Sequence, residues 1–234
     1  MDGLLPSFLK AETWKAALAE LVGTLFLTLA AILAGTPYAV ALTLTALVYA
    51  IGKTSGCHVN PAITIGLVAA RRLPVAMGLL YVLAQVAGAL LAGQLSFLVG
   101  DPAPDYQAAG RFAEFFGFGF LILTVVAVSD KYVPAAGSGV AIGAALAAGL
   151  VTSGGILNPA IAIAVSETRT AATWATVLSG IAFALLFSLF APKEEAKEDA
   201  QEGDTGTDEE QETPEVARRR LVLRASGAGT PGDD

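Results

Sequence analysis

Two asparagines, Asn60 and Asn158, each open an Asn-Pro-Ala triplet: Asn60, Pro61, Ala62 and Asn158, Pro159, Ala160. Each triplet follows a Ser-Gly pair and runs into apolar residues, in "KTSGCHVNPAITIGL" and "VTSGGILNPAIAIAV". An Asn amide supplies N–H donors and a carbonyl acceptor, which suits recognition of a neutral polar group. No nucleophile–base pair and no metal-ligand spacing accompanies the triplets. The chain holds one histidine, His58, and one cysteine, Cys57, which rules out an intramolecular disulfide. The expectation is therefore no enzyme, no cofactor and no metal.

The segments around these residues must sit in a membrane. The chain is 54% apolar and only 15% charged over its 234 residues, outside the range of ordinary soluble domains. A span needs about 20 mostly apolar residues. Six stretches qualify: Trp14–Leu33, Ala39–Ile51 with its flanks, Pro74–Val99, Phe112–Ser129, Val133–Val151 and Ala171–Phe190. The apolar pieces after the triplets, Ile63–Ala70 and Ile161–Ser166, are too short to cross and read as re-entrant half-helices. Pro61 and Pro159 suit their first turns, where a missing N–H is no loss.

The halves correspond. "AELVGTLFLTLAA" from Ala19 opens the first and "AEFFGFGFLILTVVA" from Ala113 the second; Glu20 lies 40 residues before Asn60, and Glu114 lies 44 before Asn158. Three spans per half is odd, so the halves enter the membrane from opposite sides. The predicted fold is an all-α integral membrane protein, six spans plus two half-helices in an inverted three-plus-three repeat, with its site near the midplane. Lys10, Lys15, Lys53, Arg71, Arg72 and Lys131 fall on one side, against Arg111 and Arg169 on the other. That bias predicts a multi-pass protein with both termini cytoplasmic.

Residues 1–9 read as a short cytoplasmic lead without the basic start of a cleaved signal, and 10–191 as the membrane domain, with repeats at about 10–99 and 108–191. Residues 1–192 carry eight acidic and eight basic side chains, so the net charge of −7 belongs to the tail, 192–234. Eleven acidic residues between Glu194 and Glu215 predict a disordered segment. The basic-apolar patch "ARRRLVLRAS" at 217–226 offers weak docking to anionic lipid as a sharper alternative.

Irregular backbone survives at membrane depth only where it is buried in protein or lines a water-filled cavity. The segments before the two triplets therefore predict a ladder of carbonyl acceptors. At its end two half-helix N-termini, each with about half a positive charge, and two Asn donors converge. Such a centre passes a neutral hydrogen-bonding permeant and repels cations.

These features resemble the aquaporins, the major intrinsic protein family, over residues 10 to about 190. "SGCHVNPAIT" is similar to the family's first box and "GGILNPA" to its second; the two Ala-Glu openings and "YVLAQVAGALLAG" add to the likeness. The resemblance implies homotetramers in the lipid bilayer with one pore per subunit, partners limited to water or small neutral solutes, and no nucleic acid. It assigns Asn60 and Asn158 as central donors, and the carbonyls of Gly56, Cys57, His58, Gly154, Gly155 and Ile156 as the single-file lining. Glu20 and Glu114 would support the loops by accepting backbone hydrogen bonds, with proton relay the alternative. His58 is expected to hydrogen-bond within its loop, and Cys57 to be a small residue at a tight turn beside the pore, open to mercurial block.

The chain departs from the family at the narrowest point. The family usually places Arg after the second triplet; here that position is Ile161, and its companions fall on Val40, Leu146 and Gly155. The expected constriction is unusually apolar: a dry gate if narrow, and if wide a path for ammonia, dissolved gases, urea or small polyols. The expected function is a passive channel for water or such solutes. The alternatives are a secondary transporter, or a gated or non-conducting structural protein of the same fold.

Overall fold

The computed structural model describes residues 10–99, 110–165 and 170–191. The expectations for 1–9 and for the tail at 192–234 lie outside these residues. The described chain forms α1 (Ala11–Ala34), α2 (Pro37–Ser55), α3 (Pro61–Ala69), α4 (Val75–Val99), α5 (Arg111–Ser129), α6 (Ala135–Ser153), α7 (Pro159–Ala164) and α8 (Thr170–Phe190). Six of them, all but α3 and α7, are long and apolar enough to cross a membrane. Leu18, Phe26, Leu42, Phe116 and Leu178 stand exposed on their outer faces, as side chains bathed in hydrocarbon do.

Local chemistry sets the breaks. α2 begins before the expected Ala39, because the Thr36 side chain accepts from the Ala39 N–H at 3.2 Å and Pro37 occupies its first turn. α2 and α6 stop at Gly56 (φ 90°) and Gly154 (φ 64°), left-handed positions that glycine takes without penalty. α3 and α7 each start on a proline behind an extended Asn.

The packing repeats across the halves. α1 packs on α2 and α4, and α5 packs likewise on α6 and α8. The half-helices exchange partners: α3 lies mainly on α8 and α7 mainly on α4, so each half completes the other. The α3–α8 contact is backbone on backbone. A Cβ on Gly180 would stand 2.5 Å from the Ala62 carbonyl oxygen, and one on Gly66 would stand 2.6 Å from that of Gly180. Gly180→Ala must push α3 outward, and we expect it to destabilise the fold by about 1–3 kcal/mol; an unchanged thermal unfolding midpoint in detergent would refute the contact.

At one face α3 and α5 end in matching turns. The N–H groups of Arg71 and Arg72 donate to the carbonyls of Val68 and Leu67, and those of Lys131 and Tyr132 to Val128 and Ala127. Arg71 and Lys131 occupy the left-handed positions, φ 60° and 63°. Across the turns Arg72 donates twice to the Asp130 carboxylate, at 2.7 and 2.6 Å, and once to Ser188 Oγ. The bond to Asp130 pushes the Arg72 guanidinium above its ordinary range. This fork ties one half to the other outside the apolar layer.

Candidate functional site

The two loops before the triplets turn their N–H groups one way. Glu20 Oε1 accepts from Ser55 Oγ at 2.6 Å and from the His58 N–H at 2.9 Å. Its Oε2 accepts from the Val59 N–H at 2.6 Å and from Gln85 Nε2 at 2.8 Å. In the second half Glu114 accepts from the N–H groups of Ile156 and Leu157, at 2.8 and 3.1 Å, and from Thr176 Oγ1 at 3.2 Å. Ser55 Oγ and Ser153 Oγ accept from the N–H groups of Cys57 and Gly155. Those bonds hold backbone that would not persist alone. Cys57, Val59 and Leu157 have φ of 52°, 43° and 55°, each costing roughly 1–2 kcal/mol for a non-glycine residue.

With the donors spent on carboxylates and serines, the carbonyls face elsewhere. Those of Gly56, Cys57, His58, Gly154, Gly155 and Ile156 accept no hydrogen bond from any described residue. The next two carbonyls, of Val59 and Leu157, are taken across the molecule. Asn158 Nδ2 donates to Val59 O at 2.9 Å, and Asn60 Nδ2 to Leu157 O at 2.8 Å. Each Asn Oδ1 also caps its own half-helix, at the Ala62 and Ala160 N–H. One N–H of each amide is left. The sequence reading treats the asparagines as donors alone; in the structure each is donor, helix cap and cross-link at once.

Three cavities follow one another through this centre. The first, about 550 Å³, opens where α2 and α5 end and is lined by Lys53, Gly56, His58 and Lys131 among others. The third, about 230 Å³, opens at the other face, against Thr36, Gly154 and Gly155. Between them lies a neck of only about 10 Å³ bordered by Asn60 and Asn158, the room of a single water. His58 borders the neck and the first cavity, while Val40, Ile156 and Ile161 border the neck and the third.

The four residues expected at the constriction border adjoining spaces: Val40 and Ile161 line both the neck and the third cavity, Leu146 the neck and Gly155 the third cavity. Leu27, Leu44, Ile63 and Leu121 add to the apolar wall of the neck, which the sequence reading did not single out. His58 Nδ1 lies 3.2 Å from Thr64 Oγ1, and its ring meets Tyr81 edge-on at 5.3 Å. Cys57 is buried in the apolar core between the lining residues Gly56 and His58, and lines none of the three cavities itself. Gln85, Thr64, Tyr81 and Thr176 went unassigned in the sequence. The signal for Gln85 was there, a lone amide in the apolar run "YVLAQVAGALLAG", which needs a polar partner at membrane depth.

A family model described as major intrinsic protein matches residues 7–132. An Aquaporin Z of Bradyrhizobium diazoefficiens is 38% identical over 110 residues, 41% of this chain and 46% of the relative. An Aquaporin Z of Rhodopseudomonas palustris is 39% identical over 111 residues, again 41% and 46%. Aquaporin AqpM of Methanothermobacter thermautotrophicus is 34% identical over 133 residues, 48% of this chain and 54% of the relative. The chain thus spans about half the length of the curated relatives it matches. In three dimensions it superposes on the aquaglyceroporin from Plasmodium falciparum with a TM-score of 0.61 at 17% identity, covering 79% of this chain and 98% of that one. At that identity the likeness is one of fold.

Proposed function

Since the chain belongs to the major intrinsic protein family, we propose that it is a passive channel for water and small neutral solutes, working as a homotetramer with one path per subunit. The observation that carries this is the run of three cavities past Gly56, His58, Gly154, Gly155 and Ile156, whose carbonyls accept no hydrogen bond from a described residue, and past two Asn amides. A permeant meets carbonyl acceptors along one wall and, at the centre, the remaining N–H of Asn60 and Asn158. Both half-helix N-termini face that point, and their partial positive charges repel cations. Glu20 and Glu114 act as loop supports. With four and three donors respectively already on them, they have little capacity left to relay protons or to couple transport to an ion. We orient the mouth bearing Lys53 and Lys131 to the cytoplasm, with both termini, on the bias of basic residues.

The neck narrows the choice of solute. A neck with room for about one water, walled by Val40, Leu146 and Ile161, favours water, ammonia and dissolved gases over the bulkier urea or polyols. The same dry ring supports a second reading, a gated path that empties of water. Stopped-flow light scattering on proteoliposomes separates the two. Channel function predicts water and ammonia entry well above that of protein-free vesicles, with glycerol and urea entry close to theirs. Water and ammonia entry at the protein-free rate would select the closed reading.

A further inference from the structure

The charge along the path is one-sided. Among the described residues the third cavity is lined by no ionisable side chain, and the neck by His58 alone. The first cavity is lined, among the described residues, by two lysines, Lys53 and Lys131, and by no carboxylate. The described carboxylate beside Lys131 in sequence is Asp130. Both its oxygens are held by the Arg72 fork, at 2.7 and 2.6 Å. No ion pair joins Lys53 or Lys131 to a described carboxylate. Lys131 sits in a left-handed turn fixed by two backbone hydrogen bonds, and Lys53 in the last turn of α2.

We propose that Lys53 and Lys131 form a cation filter in this cavity, acting before the neck and standing in for the positive charge that Ile161 lacks at the opposite end. The idea rests on the channel reading above and deepens it. A concave mouth with apolar walls lined by one sign of charge focuses the field, depletes like-charged ions and leaves neutral molecules unaffected, even where the charged groups, like Lys53 and Lys131, are exposed. The lysine filter thereby adds to the central barrier from one side: cations are turned back at the lysine mouth, whereas the described lining of the third cavity carries no charged side chain.

The local potential is measurable without flux. In a Cys57→Ser background, Ser138→Cys or Ser129→Cys places a reporter thiol among the lining residues; the second keeps the test available if the first fails to fold. The reagents are a sulfonate-bearing methanethiosulfonate and its trimethylammonium counterpart, each rate being divided by the rate with a free thiol. The anionic reagent is expected to gain by about tenfold over the cationic one at low salt. That preference should vanish in K53Q/K131Q, and also in 1 M salt, where screening acts over about 3 Å. In proteoliposomes the same double substitution should raise potassium leak and leave ammonia entry unchanged. A reagent preference that survives K53Q/K131Q overturns the proposal, as does an unchanged leak. Absence of solute flux in the unsubstituted protein would instead count against the channel reading, while the reagent ratio still reports the potential.

Discussion

Glu20→Ala is expected to destabilise the protein by at least about 4 kcal/mol, since four buried donors lose their acceptor at about 1–3 kcal/mol each. Two of them are the His58 and Val59 N–H groups, and Val59 holds a left-handed φ of 43° that its β-branched side chain resists. Without the carboxylate the loop has reason to relax, carrying Asn60 and the start of α3 with it. Glu114→Ala removes three acceptor contacts rather than four, so its effect should be smaller. Thermal unfolding in detergent, read with the monodisperse fraction on size exclusion, checks both size and order. Glu114→Ala as damaging as Glu20→Ala would show that the donor count does not govern loop stability.

Asn158→Asp should have the largest effect on selectivity. The substitution keeps an oxygen to cap Ala160, but sets a carboxylate oxygen where Nδ2 now donates to Val59 O at 2.9 Å. Two oxygens would then oppose each other, at a cost of about 1–3 kcal/mol. The new negative charge would stand between two half-helix N-termini, which favour an anion there. The barrier to cations at the centre becomes a well, and potassium leak into proteoliposomes should rise steeply while the fold persists. Unchanged leak in folded protein would mean that the converging dipoles are not what excludes cations.

Much of this was legible because membrane segments write their purpose in composition. Six spans follow from hydropathy alone, and the odd number per half forces inversion. The two Asn-Pro-Ala triplets then locate the breaks, because proline and a polar amide have few other uses at that depth. The exchange of half-helices was not legible. That α3 lies on α8 rests on Gly66 and Gly180 meeting backbone to backbone, and glycines are plentiful in this chain. Nor could spacing show that each asparagine spends one hydrogen on the opposite loop. Thr64, Tyr81 and Gln85 escaped notice because a hydroxyl or amide in a span acquires meaning only from the partner across the bundle. Lys53 and Lys131 served the sequence reading only as orientation signals; that they line one cavity depends on how α2 and the α5–α6 turn fold together.

The crossed bonds from Asn60 to Leu157 and from Asn158 to Val59, with α3 seated on α8, bear on how the molecule is made. As the ribosome delivers the chain, the first half emerges with its half-helix lacking the surface it finally rests on. That surface, α8, is the last of the described helices to be synthesised. Until it arrives, Asn60 faces no opposite loop and the α3 backbone has nothing to close against. Biogenesis therefore cannot finish by halves: the first repeat waits in the translocon or the bilayer as an open intermediate, and the path is completed in a single late step.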